Sequence, residues 1–199
     1  ALLMSSRGLF QGANFVNSVE ESNQNELKPL IESGKKSFKG RELSGGTLGV
    51  VGMGAIGSKV ADMGVMLGMN VIGYDPAITV EAAWKLPNKV ERKESIEDVF
   101  KESDYISLHV PANDKTKGLI NSDLLSKAKK GLRLINFARD EIVVSKDIID
   151  SLDKSILSKY ITDFADLELI SRAKTFSDVI ILPHICLLYT SPSPRDTLL

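Results

Sequence analysis

From Leu43 onward, short apolar runs of five to seven residues alternate with capped or amphipathic segments, and an early junction carries three glycines spaced G-x-G-x-x-G. These observations predict an α/β protein with a doubly wound parallel sheet, whose strands are buried on both faces by the helices that connect them. A sheet with one wet face would show apolar residues alternating with polar ones; "TLGVVG" and "VIILP" show no such alternation.

The elements follow in order. "TLGVVG" at 47–52 reads as a strand, "AIGSKVADMGVMLG" at 55–68 as a helix, and "NVIGYD" at 70–75 as a second strand. Residues 77–94 are less regular, with "VEAAWKL" a short helical stretch. "SIEDVFKES" at 95–103 opens on a serine cap and an acidic first turn, which mark a helix start, and runs into the strand "YISLHV" at 105–110. "NSDLLSKAKK" at 121–130 is a helix stopped by Gly131, before the strand "LRLINFA" at 132–138. "SKDIIDSLDK" at 145–154 and "YITDF" at 160–164 repeat the unit, and "VIILP" at 179–183 closes it. Upstream, Leu2, Leu3, Leu9, Phe10, Phe15 and Val19 suit one interrupted amphipathic helix, and its apolar side needs a cover such as a partner subunit. Residues 22–40 are polar, with Pro29 and Gly34 as breakers, and read as a surface connection.

Charge narrows the function classes. Twenty-five Lys and Arg stand against 26 Asp and Glu, so no overall field draws in nucleic acid or an anionic membrane, and neither partner is expected. The opening "ALLMSSRGLF" is too short and too broken to span a bilayer. The single cysteine, Cys186, permits no internal disulfide, which suits a reducing, cytoplasmic setting. No metal site is expected.

The chemistry lies in "GVVGMGAIG". Gly52 allows a tight turn after the strand, Gly54 lets a pyrophosphate approach the backbone, and Gly57 lets the next helix lie close to the strand. The anion then meets the unpaired N–H groups and positive dipole end of that helix. Asp75 ends the next strand, eighteen positions beyond Gly57, where a carboxylate bonds the adenosine ribose hydroxyls. It repels a 2′-phosphate, and "YDP" offers no adjacent Arg or Lys to receive one. A Rossmann-type domain binding NAD in preference to NADP is therefore expected.

In this order and spacing, "GRELSGGTLGVVGMGAIGSKVADMGVMLGMNVIGYDP", "SLHVPANDKTKGLIN", "RLINFARDEIV" and "LPHI" resemble the D-isomer-specific 2-hydroxyacid dehydrogenases. The resemblance covers nearly all of residues 43–185 and is strongest to the branch that oxidises the C2 hydroxyl of 3-phosphoglycerate. It implies NAD as cofactor, a small 2-hydroxy or 2-oxo acid as substrate, and a homodimer or homotetramer for the full-length form. Other substrates of the family, such as hydroxypyruvate or D-lactate, are the alternative, as is a non-catalytic NAD-sensing corepressor on the same scaffold.

The resemblance also assigns roles. Arg139 binds the substrate carboxylate and polarises the C2 carbonyl, a task for a planar, permanently charged fork. His184 is the general acid/base. A carboxylate that pairs with this histidine falls on Glu168, or on Asp166; aligning Phe164 with the family phenylalanine puts Leu167 at the expected place. Cofactor contacts are implied at Ala55 and Ile56 in the glycine loop, at His109, Val110, Pro111 and Thr116 after the strand at 105–110, and at Phe137, Ala138 and Arg139 after the strand at 132–138. Asp163 and His184 complete the set. Asp140 stands where the family usually carries glycine, so a strained backbone is expected if that position needs positive φ.

Three segments are expected: a linking helix and dimer-arm remnant at 1–42, the NAD-binding domain at 43–185, and a non-native tail at 186–199, with the substrate domain largely missing. The tail "CLLYTSPSPRDTLL" has no apolar period, and residues 186–196 match the translation of a transposase-type sequencing adapter.

Overall fold

A computed structural model describes residues 1–19, 24–84, 86 and 88–183. His184 and the tail lie outside the described residues. Seven parallel strands form one sheet: β1 (Thr47–Val51), β2 (Asn70–Tyr74), β3 (Val90–Arg92), β4 (Tyr105–Leu108), β5 (Leu132–Asn136), β6 (Leu157–Thr162) and β7 (Val179–Ile181). Their spatial order is β3-β2-β1-β4-β5-β6-β7. The chain thus winds outward from β1 in one direction, then restarts at β4 in the other, leaving a switch point between β1 and β4.

Helices cover both faces, as continuously apolar strands require. Nine are described: α1 (Leu2–Ser6), α2 (Leu9–Asn17), α3 (Gln24–Gly34), α4 (Gly57–Met66), α5 (Val80–Trp84), α6 (Ile96–Glu102), α7 (Ser122–Ser126), α8 (Ser145–Asp153) and α9 (Leu167–Thr175). On one face, Val99 and Phe100 of α6, Leu125 of α7, Ile148 of α8 and Leu169 of α9 pack with Ile106, Leu108 and Leu134 of the sheet. Each fully buried Leu, Ile or Phe contributes roughly 1.5–3 kcal/mol, so this cluster is the main source of stability. The other face carries α4 over Leu48, Val50 and Val71, while Leu2 and Met4 lie against Ile135, Ile161 and Ile180 at the far end.

Side-chain caps fix three helix starts. Ser95 accepts the Asp98 amide at 3.1 Å, as the sequence predicts for α6. Asn121 caps α7 through the Leu124 amide at 3.2 Å, and Asp166 caps α9 through the Leu169 amide at 2.8 Å. α7 ends at Ser126, well short of the expected stop at Gly131.

Several expectations are corrected. The surface connection at 22–40 is helical over much of its described part: it contains α3, which accommodates Pro29 by giving up one backbone bond. It also contains a 3-10 turn whose Phe38 ring lies 5.5 Å from that of Phe15. The three-residue edge strand β3 and the helix α9 were not foreseen. β6 begins three residues before 160, because its half-buried Ser158 and Lys159 hide the strand's start. Asp140 is unstrained: it opens a 3-10 turn, and Ser155 is the one non-glycine residue with positive φ among those described. No described helix is long and apolar enough to cross a membrane.

Candidate functional site: a dinucleotide cleft at the carboxyl edge of the sheet

The glycine turn is built by close backbone approach. Gly52 has φ of +92°, and its N–H donates to the Tyr74 carbonyl at 2.9 Å, tying the turn to β2. A Cβ at Gly57 would stand 1.9 Å from the Gly52 carbonyl oxygen, so only glycine lets α4 start this near the strand. A Cβ at Gly54 would meet nothing within 4 Å, so Gly54 faces open space. Ala55 and Ile56 complete the loop, and Ile56 at the N-cap supplies no side-chain acceptor to the first turn of α4. The Ser58 N–H donates to the Gly54 carbonyl at 3.0 Å, and the open space at Gly54 beside the positive end of α4 fits a pyrophosphate.

Asp75 follows β2 directly. Its carboxylate accepts the Met53 amide at 2.8 Å and the Ala77 amide at 2.9 Å, which hold it beside the glycine turn with lone pairs to spare for ribose hydroxyls. Beside it opens a cavity of about 290 Å³, with walls that include Met53, Gly73, Ile78, Leu86 and Val90. Mostly apolar walls beside a carboxylate that ends a strand next to a glycine turn are of a kind that suits a purine. The sequence offers Asp75 no basic neighbour in "YDP"; the structure supplies one from another strand, since Arg92 at the end of β3 lines the same cavity.

Across the switch point, the His109 amide donates to the Val51 carbonyl at 2.7 Å, and the His109 Nε2 and Ser107 hydroxyl are hydrogen-bonded at 2.9 Å. A Cβ at Gly52 would lie 2.6 Å from the His109 carbonyl, so the two loops are in contact. Val110 and Pro111 continue from here. The Thr116 hydroxyl donates to the Pro111 carbonyl at 2.5 Å and accepts the Asn113 amide at 2.9 Å, closing that loop.

At the end of β5, the fully buried Asn136 shapes the turn through Phe137, Ala138 and Arg139. Its amide donates to the Arg139 carbonyl at 2.8 Å, while its Oδ1 accepts the Ala138 N–H at 3.1 Å. The Arg139 guanidinium, half-buried, donates to the Ala138 carbonyl at 2.7 Å. Sequence reasoning did not single out Asn136, although its place between an apolar strand and Arg139 was visible. The neighbouring Asp140 carboxyl is held below its ordinary value by a hydrogen bond with the Glu141 side chain; partial burial opposes this.

Asp163 follows β6 and is half-buried at the same carboxyl edge. The two candidate carboxylates sit otherwise. Glu168 is exposed in the first turn of α9 and lines a surface groove with Lys146 and Arg172. Asp166 is occupied in capping α9 and in accepting the Ser145 hydroxyl. The structure therefore gathers Gly52 to Gly57, Asp75, the His109 to Thr116 loop and Arg139 along the sheet's carboxyl edge. It keeps Glu168 on an outer helical surface, and His184 lies outside the described residues.

A parallel sheet in this order, with an anion-ready glycine turn at its switch point and a carboxylate ending β2, defines a dinucleotide-binding domain. The chain belongs to the D-isomer specific 2-hydroxyacid dehydrogenase, NAD binding domain, family, whose model matches residues 2–186. It is similar to a D-3-phosphoglycerate dehydrogenase from Synechocystis, 35% identical over 76% of this chain and 27% of that protein. A hydroxypyruvate reductase from Thermotoga maritima is also 35% identical, over 76% of this chain and 49% of that one. Among solved structures, a D-lactate dehydrogenase from Aquifex aeolicus complexed with NAD and lactic acid matches with a TM-score of 0.67 at 31% identity, covering 81% of this chain and 53% of its own. The chain thus spans between about a quarter and a half of these relatives' length.

Proposed function

We propose that the whole protein oxidises the C2 hydroxyl of 3-phosphoglycerate to the 2-oxo acid. The observation that carries the reaction type is Arg139, held by Asn136 at the end of β5 on the same carboxyl edge as the glycine turn. A guanidinium so placed grips the substrate carboxylate through two parallel N–H bonds and presents C2 to the nicotinamide side of the cleft. Bound NAD supplies the acceptor for the hydride leaving C2. His184 would take the C2 hydroxyl proton as the C=O bond forms. Glu168 or Asp166 supports the histidine in this reading. For Glu168, that requires the start of α9 to turn toward the cleft. The 3-phosphoglycerate assignment is supported by the names of the first curated relatives; hydroxypyruvate is the second reading, because a reductase of that substrate is as similar in sequence.

The test uses a full-length form. kcat/KM for 3-phosphoglycerate should exceed that for D-lactate and D-glycerate, and a preference for an unphosphorylated acid would overturn the substrate. His184→Ala should lower kcat by about two to four orders of magnitude. Arg139→Lys should raise KM and lower kcat, since a point charge cannot replace a bidentate fork. Near-normal turnover in His184→Ala would overturn the acid/base assignment.

A further inference from the structure

We propose that Arg92 is a specificity-determining residue at the adenosine end of the dinucleotide site, and that it allows a 2′-phosphorylated dinucleotide to bind at only a modest penalty despite Asp75. The proposal rests on the dinucleotide reading above and adds a residue that this reading does not use.

Strand register supplies the geometry. Arg92, the last residue of β3, pairs with Gly73, two positions before Asp75. Residues in register on parallel strands share a face, so Arg92 stands on the same side as Gly73, and Asp75, just beyond the end of β2, lines the same cavity. A Cβ at Gly73 would meet the Met53 sulfur at 2.9 Å, and Met53, Asp75 and Arg92 all line one cavity. Among the described lining residues, Asp75 and Arg92 are the only charged ones. The next cation, Lys93, is committed elsewhere, with Glu91 and Glu102 each 2.7 Å from its ammonium.

The local charges make Arg92 the deciding group. Asp75 is the barrier to a 2′-phosphate, yet its carboxylate already accepts two backbone N–H groups, which spread part of its charge. Arg92 is held by Glu94 at 3.3 Å, but the two side chains are 75% and 81% exposed. An ion pair that wet is weak and exchanges readily. A phosphate offers the planar guanidinium a bidentate, doubly charged acceptor, which is a better partner than an exposed carboxylate. Discrimination between the two dinucleotides is therefore set by three groups: Asp75 repels, Arg92 attracts, and Glu94 competes for Arg92.

The experiment is calorimetric titration of the 199-residue chain with NAD, NADP, 5′-AMP and 2′,5′-ADP at low ionic strength. NADP should bind no more than about tenfold more weakly than NAD. Arg92→Ala and Arg92→Met should each widen that gap by about a further tenfold, the loss of one charge-assisted contact. The same widening should separate 2′,5′-ADP from 5′-AMP, and Glu94→Gln should narrow both gaps. Arg92→Met keeps most of the side-chain bulk, so agreement of the two variants separates charge from packing. If either variant weakens NAD and NADP by the same factor, Arg92 is only a wall of the shared pocket and the proposal is overturned. An unchanged ratio overturns it equally. Failure of the unmodified chain to bind NAD or 5′-AMP would instead refute the dinucleotide reading itself.

Discussion

Replacing Gly54 by alanine should weaken cofactor binding while leaving the fold intact. Alanine at this position meets nothing within 4 Å, and Gly54 is not among the glycines with positive φ. Folding stability should therefore change by no more than about 0.5 kcal/mol. The same methyl group, however, projects into the open side of the turn, through which a pyrophosphate reaches the first-turn amides of α4. Holding the phosphate off by one carbon forfeits one charge-assisted bond of about 1.5–3 kcal/mol, or roughly a 10- to 150-fold rise in the Kd for NAD. Gly57→Ala is the contrasting variant. Its Cβ would start 1.9 Å from the Gly52 carbonyl, backbone against backbone, so α4 and the turn must separate by about 1 Å. That overpacking costs about 1–3 kcal/mol of stability and disturbs the amides as well, so both properties should fall. Urea unfolding followed by circular dichroism gives the first quantity and NAD titration the second. Unfolding of Gly54→Ala as readily as Gly57→Ala, or NAD binding like that of the unmodified chain, would show that the two glycines do not have separate roles.

Two further perturbations test the scaffold. Asp104 links the starts of β1 and β4 by accepting the Thr47 amide at 3.0 Å, and it pairs with Lys129 at 2.7 Å. Burial pushes its carboxyl up, but the Lys129 ammonium and the Thr47 amide together outweigh burial and hold it below its ordinary value. The unfolded chain therefore takes up this proton first as pH falls. The contribution is complete above about pH 4 and disappears as pH drops through the lowered folded value. Asp104→Asn should cost about 0.5–1 kcal/mol at pH 7 and flatten the acid limb of a plot of Tm against pH; an unchanged acid limb would show that Asp104 does not contribute to it. At the other end of the sheet, Arg172 grips Asp178 through two bonds of 2.7 and 3.2 Å, reaches Asp153 at 2.5 Å, and lies 4.0 Å over the Phe176 ring. With its side chain only 11% exposed, Arg172→Met should destabilise the domain by about 2–3 kcal/mol in urea, and Arg172→Lys should restore less than half of that; full restoration by lysine would show that charge alone, not the fork, is what matters.

How much of this was legible in the sequence depends on whether the information is local. The glycine turn lies within one strand–loop–helix unit, so spacing alone places Gly52, Gly54 and Gly57 on the turn and Asp75 at the end of the following strand. β1, β2, β4, β5 and β7 are legible for the same reason: each is an apolar run bounded by polar or turn residues. β3 was missed because "VER" is too short for any periodicity and, as an edge strand, buries little. α3 was hidden by Pro29, since a residue that usually ends helices here sits within one. α9 is obscured because Asp166 and Glu168 in "ADLELI" also fit a carboxylate partner for His184, although Asp166 three positions before Leu169 is equally the signature of a cap. Relations across strands are different in kind. Arg92 reaches the Asp75 cavity only through the β2–β3 register, seventeen positions away along the chain, and no local pattern encodes that register. Asn136 lies between these cases: a buried amide at a strand end must satisfy both its donor and its acceptor, and the nearest partners are the backbone groups of the turn that follows. Those two bonds set the path of the chain into Arg139, so shortening the side chain with Asn136→Ala should displace the guanidinium even though Asn136 itself is fully buried.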